Sequence, residues 1–274
     1  MKHDDETIED HDRGLAFDLP KLISRRRAVG LLAGGIGSVA LAACGSSSGG
    51  VAATTDASPA ASAGADGVSE IADETAGPFP GDGSNGPNAL TQSGVVRSDI
   101  TKSVGDASGT APGVPTTLEM TLLDVAGGGA PLAGAAVYVW HCDREGRYSM
   151  YDGAVAGENF LRGVQESGAD GKVTFKTIFP GAYAGRWPHI HFEVYESVDA
   201  ATSSGSKLKT SQIALPAKAC EQAYAAEGYE QSVQNLRQSS LDGDMVFGDG
   251  YAGQLATASG SAADGIAMQL NVGV

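Results

Sequence analysis

Two histidines separated by a single residue are the feature of this 274-residue chain that is best suited to chemistry. They are His189 and His191, in the segment Pro-His-Ile-His-Phe-Glu-Val-Tyr. Because successive side chains of a β-strand point to opposite faces, the two imidazoles share one face. The apolar side chains of Ile190, Phe192 and Val194 share the other face. Paired imidazoles are typical of a metal site, and the alternative is an exposed polar face of an edge strand.

A metal site needs further ligands, and the chain offers two kinds. His141 is the only other histidine after residue 44, and acidic residues are plentiful, so a zinc site is one possibility. Tyr148 and Tyr183 offer harder oxygen donors. A free phenol loses its proton only at about pH 10, but a trivalent cation favours the phenolate form. Two phenolates with two imidazoles suit Fe(III) better than softer metals. Taken singly, each tyrosine would more often be a core or turn residue.

Five short motifs occur in a fixed order along the chain. Glu-Thr-Ala-Gly-Pro-Phe-Pro begins at residue 74 and Arg-Ser-Asp-Ile begins at residue 97. Gly-Arg-Tyr then ends at Tyr148, Phe-Pro-Gly-Ala-Tyr ends at Tyr183, and Arg-Trp-Pro-His-Ile-His ends at His191. In this order the motifs resemble those of the intradiol ring-cleavage dioxygenases, such as catechol 1,2-dioxygenase and protocatechuate 3,4-dioxygenase. The resemblance extends from about residue 70 to about residue 250.

The resemblance implies a cofactor and a substrate class. The cofactor is a mononuclear non-haem Fe(III), held by Tyr148, Tyr183, His189 and His191. The partners are O2 and a small aromatic diol of the catechol type. Cleavage between the two hydroxylated carbons, with both oxygen atoms inserted, gives a product of the cis,cis-muconate type. Nothing in the chain matches the carboxylate-reading pocket of the protocatechuate enzymes.

The resemblance also implies roles for residues around the metal. Tyr183 is expected to leave the iron when the catechol binds and to take one of its protons. Arg186 matches an arginine that stabilises negative charge developing on the ring, a role suited to a fixed guanidinium, and a surface salt bridge is the alternative. Gln212 matches a glutamine that supports the site. Trp187 is expected to shape the mouth of the pocket.

Short apolar runs separated by Gly, Pro and Asp predict the elements that must position these residues. Strands are predicted over residues 117–125, 135–141, 172–178, 189–195, 208–215 and 266–272. A helix is predicted over residues 216–227, ended by Gly228. Many short strands with closely spaced turn signals indicate a sandwich. The predicted fold class is therefore an all-β, prealbumin-like β-sandwich catalytic domain with few short helices.

Residues 1–44 have the pattern of an export signal. Ser-Arg-Arg-Arg at 24–27 precedes a Gly-rich apolar run at 28–43, and Leu-Ala-Ala-Cys ends at Cys44. The first motif resembles a twin-arginine signal, and the second resembles a bacterial lipobox, in which the cysteine is lipidated and becomes the mature N-terminus. The alternative is an uncleaved helical anchor. A run of 16 residues with four glycines is a poor spanning helix, which favours the lipoprotein.

A linker and one domain are predicted after the signal. Residues 45–68 are almost all small or polar, which predicts a flexible linker. Residues 69–274 form the intradiol dioxygenase-like domain. We therefore expect membrane attachment through lipidated Cys44, at the outer face of the bacterial cell membrane, or release outside the cell. Cytoplasmic members of the family carry a helical dimerisation domain where this chain has a signal and linker, so the oligomeric state is left open.

The composition argues against nucleic acid as a partner and leaves the pairing of two cysteines open. The chain has 18 Lys+Arg against 33 Asp+Glu, a net charge of −15, which argues against a nucleic-acid partner because phosphate backbones repel it. Three cysteines are too few for a disulfide scaffold. Cys142 and Cys220 form either a disulfide or two separate buried thiols.

Two other functions match parts of the pattern. A non-catalytic exported β-sandwich that binds a wall polymer or a protein would share Pro-Leu-Ala-Gly-Ala at 131–135 and Pro-Gly-Ala-Tyr at 180–183. A cupin would use His189 and His191, but the chain has no later histidine to complete its ligand set. The presence of all four candidate ligands favours the dioxygenase.

Overall fold

Nine strands and three short helices make up residues 68–274, the part of the chain that the computed structural model describes. The strands are β1 (Pro115–Asp124), β2 (Ala130–Pro131), β3 (Ala136–Trp140), β4 (Arg162–Glu166), β5 (Lys172–Ile178), β6 (His189–Tyr195), β7 (Lys207–Ala214), β8 (Thr257–Ser261) and β9 (Gly265–Gly273). The helices are α1 (Val198–Thr202), α2 (Ala217–Ala223) and α3 (Glu230–Leu236). The predicted signal over 1–44, with Cys44, and the predicted linker over 45–68 lie outside the described residues, apart from Val68.

The strands form two sheets, as the prediction of a sandwich requires. In the first sheet, β1 pairs in parallel with β9 along one edge and antiparallel with β5 and β2 along the other, and β8 extends the sheet beyond β9. The second sheet is antiparallel, in the order β4-β3-β6-β7. The all-β fold class with few short helices is confirmed. Strand β6, which carries both histidines, is an interior strand.

One hydrophobic core fills the space between the two sheets. The first sheet contributes alternate residues of β1, β5 and β9, and the second contributes β3, β6 and β7. Buried members of this core are Leu118, Met120, Leu122, Val137, Val139, Phe175, Ile190, Phe192, Val194, Ile213 and Met268. Removal of this apolar surface from water is the main favourable term in folding, so the core fixes which way each strand faces.

The two faces of β6 lie in different surroundings. Ile190, Phe192 and Val194 face the core between the sheets, as the alternation predicts. His189 and His191 lie on the outer face, yet each is only 2% exposed, because loops cover that face. The alternative of an exposed polar face on an edge strand is therefore wrong.

Some element bounds differ from the prediction. Helix α2 ends at Ala223, whereas the sequence predicts a helix as far as residue 227. Turns replace the helix over residues 224–228, and the Tyr224 hydroxyl donates to the Pro180 carbonyl at 3.1 Å. Strands β4 and β8 were not predicted, since neither alternates apolar with polar residues, and only their pairing with β3 and β9 makes them strands. Across residues 68–274, no helix is both long and apolar enough to span a bilayer.

The two cysteines of the described region are separate thiols. Cys142 and Cys220 are both buried and free. The Cys142 sulfur lies 3.4 Å from the Gly181 carbonyl oxygen, and Cys220 belongs to the core between the sheets. Burial raises the pKa of each thiol, so both stay protonated at neutral pH.

Truncation of the core face of β6 should destabilise the domain strongly. We expect Phe192→Ala to lower the free energy of unfolding by about 3–5 kcal/mol, because Phe192 is completely buried and its loss leaves a cavity. The measurement is urea unfolding of metal-free protein. The matched control on the neighbouring strand is Leu208→Ala, whose side chain is 41% exposed and whose change should stay within about 0.5 kcal/mol. Equal effects of the two substitutions would contradict the assignment of the core face.

Candidate metal centre

Segments that are distant in the sequence meet at the beginning of β6. Strand β6 itself supplies His189 and His191. The loop after β3 supplies Tyr148, and the loop after β5 supplies Tyr183 and Arg186. Because β3 and β6 are neighbours in the second sheet, and β5 runs in the sheet packed beneath them, both loops emerge beside the histidines.

Donor atoms of three predicted ligands face one another. The Tyr183 hydroxyl oxygen lies 3.0 Å from His189 Nε2, which lies 3.1 Å from His191 Nε2. An imidazole nitrogen binds a first-row ion such as zinc at about 2.0–2.1 Å, so two ligands at right angles are about 3.0 Å apart. The observed separations are those of neighbouring ligands of a single ion.

Tyr148 is the fourth member of this group. Its ring centroid lies 5.8 Å from that of Tyr183 and 6.2 Å from that of His191, and both contacts are edge-on. Its hydroxyl is buried and has no hydrogen-bond partner within the described part of the chain. A buried polar atom without a partner costs free energy. Such an atom beside three other donors indicates that the group binds something there.

The two histidines are neutral. His189 Nδ1 lies 2.5 Å from the Trp187 carbonyl oxygen, so Nδ1 carries the proton and Nε2 keeps its lone pair. Burial, together with the Arg186 guanidinium, lowers the pKa of His189 well below its ordinary value. Burial, together with His189, lowers the pKa of His191 in the same way. Neutral imidazole is the form that binds a metal ion.

The two tyrosines are held as neutral phenols in the absence of a cation. Burial raises the pKa of Tyr148 well above its ordinary value, and the nearby Tyr183 adds to the effect. Burial raises the pKa of Tyr183 to about 12, although Arg186 acts in the opposite direction. A bound cation reverses this balance because its charge stabilises the phenolate. The tyrosines therefore ionise at neutral pH only together with a metal ion.

The donor set fits a hard, highly charged ion. It comprises two phenol oxygens and two imidazole nitrogens, a combination that suits iron better than soft metals. Among residues 68–274, no group of three or more His, Cys, Asp or Glu is placed to hold an ion. The two tyrosine oxygens are therefore the further side-chain donors that lie beside the histidine pair.

His141 is a structural histidine, and the zinc site that the sequence left as a possibility does not form around it. Its Nδ1 lies 2.8 Å from the Cys142 carbonyl oxygen, and its Nε2 lies 2.7 Å from the Thr177 hydroxyl. Since a carbonyl only accepts, Nδ1 must be protonated, and Nε2 accepts from the threonine. Both ring nitrogens are thus occupied away from the candidate centre.

Arg186 and Gln212 lie together beside the donor atoms. Arg186 Nη1 is 3.5 Å from His189 Nε2, and Arg186 Nη2 donates to Gln212 Oε1 at 2.7 Å. Gln212 Nε2 in turn donates to the Thr75 carbonyl at 2.8 Å. Gln212 is paired directly with His191 across β6 and β7, which is why its side chain reaches the same face. The structure thus places both predicted residues at the centre.

Sequence reasoning missed two residues of the turn that follows α3. Asp244 accepts from Arg186 Nε at 3.0 Å, and its side chain is fully buried, so the surface salt bridge considered for Arg186 is wrong. Phe247 packs against Trp187, which is buried and donates from Nε1 to the Leu215 carbonyl at 2.8 Å. The sequence of this turn has no hydrophobic periodicity. Its residues can be assigned to the site only from the folded structure.

Aromatic side chains surround the donor atoms. Trp140 lies parallel to the His191 imidazole, with centroids 4.9 Å apart, and Phe79 lies 5.0 Å from the Tyr148 ring. Trp140 and His191 are cross-strand partners on β3 and β6. Local sequence does not predict this contact, because it depends on strand register. These rings exclude water from the donor atoms.

The segment over residues 74–80 covers the His191 side of the site. A Cβ on Gly77 would lie 3.2 Å from His191 Cε1, and the φ angle of Gly77 is +70°, so glycine is required there. The buried Arg162 guanidinium donates to the carbonyls of Phe79 and Pro80 at 3.0 and 2.9 Å. These bonds fix the segment over the imidazole.

Parts of this chain are similar in sequence to known proteins. A family model described as a dioxygenase matches residues 85–203, which include all four predicted ligands. Catechol 1,2-dioxygenase 1 of Acinetobacter lwoffii is 35% identical over 101 residues, 30% of this chain and 30% of that protein. 6-Chlorohydroxyquinol 1,2-dioxygenase of Cupriavidus pinatubonensis is 35% identical over 85 residues, 24% of this chain and 30% of that protein. The chain thus matches less than a third of the length of these curated relatives.

A solved structure is similar over a longer stretch. The intradiol ring-cleavage dioxygenase from Tetranychus urticae superposes with a TM-score of 0.52 and 26% sequence identity. The match covers 65% of this chain and 86% of that chain. The shared part is therefore most of that protein, and the two folds are similar over it.

Protonation of His141 should make the stability depend on pH. Burial lowers the pKa of His141 to about 4 in the folded protein, whereas the unfolded value is about 6.5. The unfolded chain therefore binds the proton first, and stability is lost as the pH falls from about 6.5 to about 4. We expect the loss of unfolding free energy between pH 7 and pH 4 to be smaller by about 3 kcal/mol in His141→Gln than in the wild type.

The measurement is urea unfolding of both metal-free proteins at several pH values. His189 and His191 are present in both proteins, so the difference reports mainly on His141. Parallel pH profiles would contradict the assignment of a neutral, buried His141.

Proposed function

We propose that this chain, which resembles the intradiol ring-cleavage dioxygenases in sequence and fold, is a non-haem Fe(III) enzyme that cleaves catechol-type diols. O2 is the second substrate, and both of its atoms enter the product. Cleavage occurs between the two hydroxylated carbons and gives a cis,cis-muconate-type diacid. The observation that carries the proposal is the convergence of Tyr148, Tyr183, His189 and His191 on one point.

These four side chains would hold the iron. When bound there, Fe(III) supplies Lewis acidity, which favours ionisation of the diol and draws electron density from its ring. Neutral imidazoles and two ionisable phenols match this requirement, since the phenolates offset much of the charge of the metal. The buried Tyr148 is suited to a permanent ligand, because it is only 3% exposed and packed against Phe79.

Tyr183 is suited to accept a proton from the substrate. Tyr183 is partly exposed, whereas Tyr148 is enclosed, so Tyr183 is the more accessible of the two to an entering diol. As a phenolate it would take one catechol proton, and the raised pKa of its phenol favours that transfer. The difference in exposure supports different tasks for the two tyrosines.

Arg186 is suited to stabilise negative charge on the ring. Its guanidinium is 5% exposed and lies against His189, so it is already desolvated and held in place. A fixed positive group at the position where charge develops lowers the barrier without reorganisation during the reaction. Gln212 supports it by accepting from Nη2.

Removal of either tyrosine hydroxyl should change the colour and reduce the activity strongly. Phenolate bound to Fe(III) absorbs visible light by charge transfer, so the iron-loaded protein should be coloured. Tyr148→Phe and Tyr183→Phe each leave one phenolate, so each should weaken and shift that absorption and slow oxygen uptake with catechol by roughly 100-fold or more. Tyr195→Phe is the control, because Tyr195 lies at the far end of β6 and bonds to Glu193.

The alternative of a non-catalytic binding module gives the opposite results. A wild-type protein that remains colourless with Fe(III) and consumes no oxygen with any of a panel of catechols would favour the binding module. An absorption spectrum and a rate of oxygen uptake that are unchanged from the wild type in both tyrosine variants would show that other residues hold the iron.

The same proposal includes a site of action outside the cytoplasm. Residues 1–44 would direct export, and Cys44 would carry the lipid that tethers the domain. In a bacterial host fed labelled palmitate, we expect wild-type protein to be labelled and to sediment with membranes. Cys44→Ser should carry no label and should not sediment with membranes, since it lacks the acyl chains that attach the wild type. Ser46→Ala is the control. Label that persists in Cys44→Ser would contradict the tether.

A further inference from the structure

The Asp244 carboxylate accepts hydrogen bonds from four N–H groups at the edge of the candidate metal centre. It accepts from Arg186 Nε, with Nε–O distances of 3.0 and 3.3 Å. It also accepts from three backbone N–H groups, those of Trp187 at 2.6 Å, Val246 at 2.8 Å and Phe247 at 3.2 Å. Its side chain has no exposed surface. A single buried carboxylate thus ties together two loops from distant parts of the chain.

The first consequence of these contacts is a fixed orientation of Arg186. Asp244 takes the Nε edge of the guanidinium and Gln212 takes Nη2, which leaves Nη1 pointed toward His189 Nε2 at 3.5 Å. The guanidinium is planar, so two anchors on adjacent edges define its plane. Without the carboxylate, Arg186 would keep only the amide anchor and would be free to rotate away from the donor atoms.

The second consequence is a fixed position for Phe247, which forms a wall of the candidate metal centre on the same side as Arg186. Phe247 lies with its ring centroid 5.9 Å from Arg186 Cζ and 6.4 Å from the His189 ring. The turn that carries Phe247 is held by the bonds from its own backbone to Asp244. The carboxylate therefore holds both the guanidinium and the ring that covers it.

We propose that Asp244 is a positioning residue, which aims Arg186 at the reacting ring and closes the adjacent wall with Phe247. The inference rests on the proposed function for the reaction concerned, but the Asp244–Arg186 coupling itself does not. If the Arg186 guanidinium is wrongly oriented, the stabilisation of charge in the transition state should weaken more than the binding of the substrate does. The effect should therefore appear mainly in kcat.

The test is a double-mutant cycle with Asp244→Asn, Arg186→Gln and the double variant. In iron-loaded protein with catechol, we expect Asp244→Asn to lower kcat roughly 10- to 100-fold with less than about a 3-fold change in KM. When Arg186→Gln is already present, the same substitution should lower kcat by less than about 2-fold. Asp242→Asn is the control, because it removes the same charge from an exposed position two residues away.

A second measurement does not use the iron or the activity. In iron-free protein, Asp244→Asn should lower the urea midpoint, because it leaves Arg186 as a buried charge without its partner. The midpoint should fall less when Arg186→Gln is present.

The outcomes separate the two proposals. A wild-type protein that consumes no oxygen with any catechol overturns the proposed function. An active wild type in which Asp244→Asn keeps its kcat, or loses the same factor with and without Arg186→Gln, overturns the positioning role alone. Equal losses of the urea midpoint in the two backgrounds also overturn it, since Asp244 would then only hold the turn.

Discussion

The meeting of four donor groups at one point, three of them buried and one partly buried, is the constraint on which the rest of the structure depends. Tyr148, Tyr183, His189 and His191 are taken out of water together, which disfavours their charged forms. Burial raises the pKa of the phenols and lowers that of the imidazoles, so all four are neutral without a cation. Neutral donors that converge in a dry site bind a cation far more strongly than the same groups in water, because fewer waters compete for its charge.

Strand β6 links this site to the stability of the domain. Its apolar face, with Phe192 at the centre, belongs to the core between the sheets, and its other face carries the histidines. Because strand side chains alternate, one register determines both faces, and a shift by one residue would move the imidazoles into the core. The same packing that stabilises the sandwich therefore orients the donors, and no flexible loop is needed to carry both histidines.

Buried guanidinium groups hold the remaining parts of the site in place. Arg162 bonds to the carbonyls of Phe79 and Pro80, and Arg186 is bonded to Asp244 and Gln212. A buried charge is tolerated only when its donors are satisfied, so each arginine requires partners from other segments. These requirements bring loops from both ends of the domain against β6. In the proposed reaction, Arg186 is the one of these two cations that faces the donor atoms.

The alternation of β6, the order of the tyrosine and histidine motifs and the sandwich of short strands can all be predicted from the sequence, because they depend on neighbouring residues and on local periodicity. The folded domain was needed to show that His141 lies outside the site, that Trp140 stacks on His191, and that Asp244 binds Arg186. Those contacts join residues separated by 36 to 58 positions. They depend on strand register and on a turn with no periodicity, and local sequence carries no record of either.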